Sequence, residues 1–301
     1  MYVTPSRPQS IGGVIDDAIR LYRYSFSRCW LLAFLPAAAL GVWQITMMRY
    51  VPGYGFPYSP AAQMALAKQH PLPGLVILAV LIISLLAVSF QGAVAAQQAA
   101  LARRDDSFTL GRAFATAFTR LPTFILSVIL LYLAIIGVML GAMIVVALPV
   151  GLLLGALHMM VRAVASAGVV LLLFVAMLAL MGRLQLFMAA IYIDREGPLA
   201  SLKQSWRLTK GHWWRATAIL TTAMVMMLVL YLAVMLLSYL AGYLTHNGPV
   251  NRFLVVPLLV MVTYTVIYPL GAAIWVAMYN DFKLRRDGGD LAARVGALNS
   301  A

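Results

Sequence analysis

The chain alternates long apolar runs with short polar stretches. Six apolar runs lie near residues 30–48, 74–96, 122–148, 168–192, 216–240 and 254–278. About 20 apolar residues cross the hydrocarbon core of a bilayer as a helix. The runs lack the alternation of barrel strands, and only helices or closed barrels satisfy the backbone in lipid. The pattern therefore predicts an all-α, polytopic membrane protein with six transmembrane helices.

The polar stretches carry an amphipathic pattern ahead of each pair of runs. In the first stretch apolar residues recur at helical spacing, at Ile11, Val14, Ile15, Ala18, Ile19 and Tyr22. The same spacing returns 99 residues later, from Leu110 to Leu121. A looser third copy follows Gly197-Pro198, with Leu199, Leu202 and Trp206 on one face. Such faces are typical of helices that lie in the membrane interface, and we call these three predicted helices elbows.

The three elbows define a predicted domain organisation. Each elbow precedes two apolar runs, so we expect one integral membrane domain over residues 1–301, built as three elbow-plus-hairpin repeats. The repeat units lie near 8–101, 102–196 and 197–285, and residues 286–301 form a cytoplasmic tail. The mixed charge of residues 1–29 argues against a cleaved signal peptide, so the first apolar run is expected to stay as an anchor.

Local signals place the ends of the elbows. Ser10 and Thr109 stand where N-caps are expected, and Gly211 can end the third elbow in a left-handed conformation. Residues 149–164 remain open between a short amphipathic helix and an extension of the flanking spans. The single cysteine, Cys29, excludes an internal disulfide and is expected to be an inert thiol.

Positive charge sorts to one side of the predicted membrane. Residues 1–29, 102–121, 194–215 and 279–301 hold 17 of the 22 Lys and Arg residues. The positive-inside rule places these stretches and both termini in the cytoplasm. The net charge of +13 lies at helix ends, which favours phospholipid headgroups over nucleic acid. The expected lipid-interface residues are Arg20, Arg23, Arg112, Arg120, Lys210, Trp213, Trp214 and Arg215.

Arg183 is the one cation predicted inside a span. It lies about ten residues before Asp194, and a charge buried in a membrane normally faces the bundle or water. Gln91, Gln97 and Gln98 lie at compatible depth, so the four residues could form a polar pocket that holds an anionic group. The alternative, which we favour, is that Arg183 snorkels or binds a helix end without any ligand.

Other chemistry is not supported by the sequence. No predicted span contains Asp or Glu, which disfavours ion-coupled transport. His70, His158, His212 and His246 lack ligand spacing, so no metal is expected. The chain carries no nucleophile elbow, phosphate-binding loop or dinucleotide fingerprint, so neither an enzyme nor a cofactor is expected. Gly137-x-x-x-Gly141 is interpreted as close packing within the chain rather than as a dimer face.

One stretch also resembles a known family. The sequence GPLASLKQSWRLTKGHWWR at residues 197–215, with residues 10–23 and 279–285, is similar to the membrane domain of bacterial glycerophosphodiester phosphodiesterases and to related stand-alone bacterial membrane proteins. The resemblance implies six helices with interfacial elbows. The phosphodiesterases carry a soluble catalytic domain beyond the last span, whereas about twenty residues follow it here. It therefore implies the membrane module alone, without catalytic residues to carry over.

These observations lead to three functional hypotheses. The first is a non-enzymatic inner-membrane protein that binds or organises anionic phospholipid or supports envelope homeostasis. The second is a transporter or permease subunit that moves a small anion or lipid through a pocket at Arg183. The third is a scaffold whose elbows dock a cytoplasmic protein partner. A pocket open to the outer side would favour transport, and a pocket sealed there would favour lipid handling.

Overall fold

The computed structural model describes residues 2–50, 74–105, 107–147, 159–244 and 254–286, and the regular secondary structure of this part is all helical. The helices are α1 (Ile11–Tyr50), α2 (Gly74–Ala102), α3 (Leu110–Thr119), α4 (Leu121–Ala142), α5 (Met159–Leu184), α6 (Phe187–Tyr192), α7 (Pro198–Thr209), α8 (Trp213–Leu244) and α9 (Val256–Arg286). The α4 helix continues into a π-helical segment at Met143–Ala147.

Six stretches within these described ranges are long and apolar enough to cross a membrane, as the hydrophobic pattern predicts. They are Ile11–Thr46, Leu81–Ala102, Leu121–Val145, Ser166–Tyr192, Trp213–Leu244 and Val256–Arg286. Helices α1, α2 and α9 are the most deeply packed, whereas α4, α5 and α8 leave most of their apolar side chains exposed. Exposed apolar surface of this extent is what a helix presents to lipid.

The first elbow is not a separate helix, which corrects the sequence prediction. Residues 11–50 form one continuous helix of 40 residues. The stretch from Tyr22 to Trp30 contains neither Gly nor Pro, so nothing ends the helix between the amphipathic part and the first apolar run. Its apolar face packs on the protein, because Val14 and Ala18 are fully buried in the main core. The segment expected as an interfacial helix is therefore the N-terminal part of α1, whose apolar face is buried.

The second elbow does form its own helix. α3 begins after Thr109, whose side chain accepts a hydrogen bond from the Arg112 backbone N–H at 3.4 Å. It ends just before α4, which starts at Leu121 with Pro122 in its first turn, a position where proline suits a helix start. The buried residues Ala113 and Ala117 lie on the predicted apolar face.

The third elbow is also a separate helix, α7, but it buries a different face from the predicted one. Leu202 is buried as expected, whereas Leu199 and Trp206 are exposed. The other buried residues are Ser201, Ser205, Leu208 and Thr209. The helix ends before Gly211, which adopts the predicted left-handed conformation with φ of +83°. A mostly polar face is buried because it hydrogen-bonds a neighbouring helix end.

Several predictions fall on residues outside the described ranges. They include residues 148–158 of the open 149–164 connection, the 287–301 tail, and His70, His158 and His246. Residues 159–164 are the first turns of α5. Among the described residues, a Cβ added at Gly137 or Gly141 would meet no atom within 4 Å, so the predicted close packing of this pair is not found in this part of the chain.

Candidate functional site

The predicted polar stretches meet at one end of the helical bundle. The Thr4 hydroxyl donates to the Ala102 carbonyl at 3.1 Å, which joins the N-terminal segment to the end of α2. The Arg120 guanidinium donates to the Arg195 carbonyl at 2.9 Å, which joins the α3–α4 junction to the loop before α7. We call this end of the bundle the charged end. It gathers the charged parts of all three predicted repeat units.

Most of the expected lipid-interface residues are accessible at the charged end. Exposed side chains are found at Arg20, Arg23, Arg112, Lys210 and Trp214. Arg120 and Trp213 are half-buried, and the two tryptophan rings pack edge to face with centroids 5.4 Å apart. An exposed indole beside exposed cations is typical of a headgroup region.

Arg215 has a different role from the predicted lipid contact. Its guanidinium pairs with the Asp281 carboxylate at 3.1 Å and donates to the Gln9 carbonyl at 2.5 Å. Arg285 pairs with the same carboxylate at 3.0 Å, and the Gln9 backbone N–H donates to it at 2.8 Å. Only 3% of the Asp281 side chain is exposed. This Asp281 cluster ties the N-terminal segment and the start of α8 to the end of α9.

A second carboxylate cluster holds α7 to α9. One Asp194 oxygen accepts hydrogen bonds from Gln204 at 2.9 Å, from the Tyr279 hydroxyl at 2.6 Å and from the Lys283 ammonium at 2.6 Å. Burial alone would raise the Asp194 pKa, but the hydrogen bonds from Lys283 and Tyr279 and the charge on Lys283 outweigh it. The pKa of Asp194 is therefore held below its ordinary value.

Arg183 lies at a helix end beside α7. Its guanidinium carbon is 4.4 Å from the centre of the Trp206 ring, a cation–π contact. Its backbone carbonyl accepts hydrogen bonds from the Ser205 and Thr209 hydroxyls at 2.7 and 3.1 Å. Because α5 ends at Leu184, one residue later, Arg183 sits at a break in the fourth span rather than within a continuous transmembrane helix.

The glutamines of the expected pocket lie elsewhere. Gln98 donates to Ser25 of α1 and to the Pro269 carbonyl of α9, at 3.1 and 2.9 Å. Gln97 donates to the Arg28 carbonyl at 3.2 Å, and Gln91 lies against Gly271. Within the described ranges, their contacts are with α1 and α9, whereas Arg183, near the end of α5, contacts α7. The structure therefore does not assemble the predicted Arg183–glutamine pocket.

The break in the fourth span is bridged by α7. The Ser205 hydroxyl accepts from the Leu186 backbone N–H at 3.1 Å while it donates to the Arg183 carbonyl. It thus satisfies a donor and an acceptor that the interrupted helix leaves without partners. The Gln185 side chain spans the same break and donates to the Ala216 carbonyl of α8 at 2.9 Å. This bridge was not predicted from the sequence, although the spacing of Ser201, Ser205 and Thr209 on one helical face could have signalled it.

A groove opens at the junction of α1, α2 and the segment before α3. Its volume is about 390 Å³. Lining residues are Ser27, Arg28, Trp30, Leu31, Gln97, Leu101, Asp105, Phe108, Thr109 and Leu110. The groove lies where the first apolar run begins, so its polar and apolar walls meet at the expected boundary between headgroups and hydrocarbon. Gln97 was predicted at a ligand site, but together with Arg183, which does not line this groove.

The fold and the charged end define a polytopic helical membrane protein. In the part of the chain that the structure describes, no group of three or more His, Cys, Asp or Glu residues could hold a metal. The chain belongs to a family described as a domain of unknown function (DUF7847), whose model matches residues 58–282, about three quarters of its length. No curated protein and no solved structure matches it.

Proposed function

We propose that this protein binds and organises phospholipids at the surface of the membrane that it spans, without catalysing a reaction. The observation that carries the proposal is the segregation of exposed cations to the charged end of the bundle, beside the exposed Trp214 ring. The exposed basic side chains include Arg20, Arg23, Arg28, Arg112, Lys203, Arg207 and Lys210. Each basic group near an anionic membrane surface contributes about 1 kcal/mol of attraction.

The charge distribution also supports an orientation. We infer that the charged end faces the cytoplasm, with both termini on that side, and that the membrane is the bacterial inner membrane. The contacts of Thr4 with Ala102 and of Gln9 with Asp281 place the N-terminal segment and the end of α9 together, as this topology requires.

The proposed architecture is one domain of three elbow-plus-hairpin repeats. The separate helices α3 and α7, each followed by two apolar stretches, support it. The first unit departs from the pattern, because its elbow is continuous with the first span. We infer a relationship to the phosphodiesterase-associated membrane domains from the 197–215 stretch, where Ser205, Gln204 and Arg215 all make contacts between helices.

A non-enzymatic role is consistent with how the buried Asp281 and the half-buried Asp194 are used. Asp281 is neutralised by Arg215 and Arg285, and Asp194 by Lys283. Both are therefore engaged in holding helices together. The scaffold alternative would use the exposed Leu199 and Trp206 faces of α7 as a docking surface for a cytoplasmic partner. The transporter alternative has less support, because Arg183 lies on the Trp206 ring instead of beside the glutamines.

Native mass spectrometry of the purified protein tests the proposal. We expect wild type to retain anionic phospholipid and the triple variant Arg20→Gln, Arg23→Gln, Arg112→Gln to retain clearly less. All three side chains are exposed, so the variant should fold. Arg252→Gln, which replaces a basic residue outside the four basic stretches of the sequence, is the control and should behave like wild type. Equal lipid retention by the triple variant and the control, or no retained lipid in wild type, would overturn the proposal.

A further inference from the structure

The groove beside α1 has walls of two kinds. Trp30 and Leu31, which are 46% and 36% exposed, begin the apolar part of α1. Arg28, two residues before Trp30, and Asp105, three residues after the end of α2, are exposed and charged. A volume of about 390 Å³ falls within the roughly 300–1,000 Å³ of ligand pockets. The groove thus offers a cation, an anion and an apolar wall at one place.

Gln97 gives the groove an unused hydrogen-bond acceptor. The side chain lines the groove and is only 4% exposed. Its amide nitrogen donates to the Arg28 carbonyl at 3.2 Å, and since a carbonyl only accepts, this contact fixes which end of the amide faces α1. The other end, the Gln97 Oε1, is buried and has no hydrogen-bond partner among the described residues. A buried acceptor without a partner is costly, so a ligand that donates to it is favoured.

Asp105 adds a second acceptor close to the same lining. One of its carboxylate oxygens accepts from the Ser107 backbone N–H at 3.0 Å and from the Ser107 hydroxyl at 2.6 Å. These hydrogen bonds hold the carboxylate at the rim of the groove and lower the Asp105 pKa, so it is charged at neutral pH. The guanidinium groups of Arg103 and Arg112 also act on this carboxylate.

We propose that this groove binds the headgroup of a phospholipid that carries a primary ammonium, as phosphatidylethanolamine does. The lipid phosphate lies against Arg28, the ammonium N–H groups donate to the Gln97 Oε1 and to Asp105, and an acyl chain covers Trp30 and Leu31. Phosphatidylcholine carries the same charges but has no N–H, so it leaves the Gln97 acceptor without a partner. The inference rests on the proposed function, because it needs the charged end to lie at a membrane surface.

Competition between two lipids that differ only in this donor tests the site. Purified protein is equilibrated with equal amounts of phosphatidylethanolamine and phosphatidylcholine of matched acyl chains, and the bound lipid is read by native mass spectrometry. One hydrogen bond from a charged donor contributes enough to change affinity by about tenfold. We therefore expect wild type to hold about ten ethanolamine lipids for each choline lipid.

Three variants separate the parts of the site. Gln97→Leu should bring the ratio close to one, and Asp105→Asn should lower it severalfold. Asp105 is exposed, so Asp105→Asn decides the question if Gln97→Leu does not fold. Arg28→Gln should reduce the binding of both lipids equally, because both carry the phosphate. The control Asp16→Asn, at an exposed position of α1 outside the groove lining, should keep the wild-type ratio.

The outcomes distinguish this inference from the proposed function. A ratio near one in wild type, or an unchanged ratio in both Gln97→Leu and Asp105→Asn, would overturn the inference. If the ratio test fails in this way but the Arg20, Arg23, Arg112 variant still loses anionic lipid, the proposed function stands and only the inference about the groove is overturned. If wild type retains no phospholipid of any class, both fail together.

Discussion

The Asp281 cluster gives a prediction whose size can be worked from the structure. The carboxylate is 3% exposed, whereas the side chains of Arg215 and Arg285 are 17% and 26% exposed. Asp281→Asn removes the negative charge and leaves both guanidinium groups facing a neutral amide. Breaking one partner out of a buried ion pair costs about 3–5 kcal/mol, and the partial exposure of the arginines favours the lower limit. We expect a loss of about 3 kcal/mol in the free energy of unfolding.

Thermal denaturation in detergent, followed by size-exclusion chromatography, measures this loss. A change of 1 kcal/mol moves the melting temperature of a large domain by about 2 °C or more, so Asp281→Asn should melt about 6 °C below wild type. Asp16→Asn is the matched control, because Asp16 is exposed on α1 and its replacement should change stability by less than about 0.5 kcal/mol.

A double-mutant cycle with Arg215→Gln isolates the ion pair itself. Residues in one salt-bridge network show interaction energies of about 0.5–3 kcal/mol, so the double variant should be less destabilised than the sum of the two single changes. If Asp281→Asn melts within 1 °C of Asp16→Asn, or if the two changes are strictly additive, the reasoning from burial and pairing is wrong.

Two further predictions concern helix packing and pH. A Cβ at Gly182 would overlap the Thr217 hydroxyl of α8, so Gly182→Ala should lower the free energy of unfolding by about 1–3 kcal/mol. A Cβ at Gly137 would meet no atom of the described residues within 4 Å, so Gly137→Ala should not destabilise the protein. Comparison of the two melting temperatures checks this. The folded-state pKa of Asp194 is depressed below 3.8, so its contribution to stability is present above that pH and is lost as the pH falls through the folded-state pKa. The difference in melting temperature between wild type and Asp194→Asn should therefore hold from pH 7 to about 5 and shrink below about 4. A difference that stays constant over this range would contradict the prediction.

Features set by neighbouring residues were predictable from the sequence. The six apolar stretches, the Thr109 cap, the start of α7 after Gly197 and the left-handed Gly211 all follow from the residues within one or two turns. The same local reasoning also explains a failure. The first elbow was expected as a separate helix from its amphipathic pattern, although no Gly or Pro stands between Tyr22 and Trp30 to end it.

Features set by distant partners were not predictable. Arg215 begins a helix next to two tryptophans, which suggests a lipid contact, but its partner Asp281 lies 66 residues away. The break after Leu184 consists of Gln185 and Leu186, neither of which is the Gly or Pro that would signal it. The hydroxyl that bridges the break comes from Ser205, 19 residues beyond Leu186. The predicted depth of Arg183 was derived from an unbroken helix, which explains why the glutamine pocket was misplaced.

The basic residues of the charged end divide into two groups with different consequences. Arg215, Arg285 and Lys283 are paired with carboxylates and hold α9 to the rest of the bundle, so their charge is largely cancelled within the protein. The exposed arginines of α1 form none of the salt bridges found among the described residues, so their charge is not cancelled in this way. Their electric field extends to the molecules that lie against the protein surface. Substitution of the first group should therefore change stability, whereas substitution of the second should change lipid binding while the fold persists. This separation makes the proposed lipid function testable without confusion from unfolding.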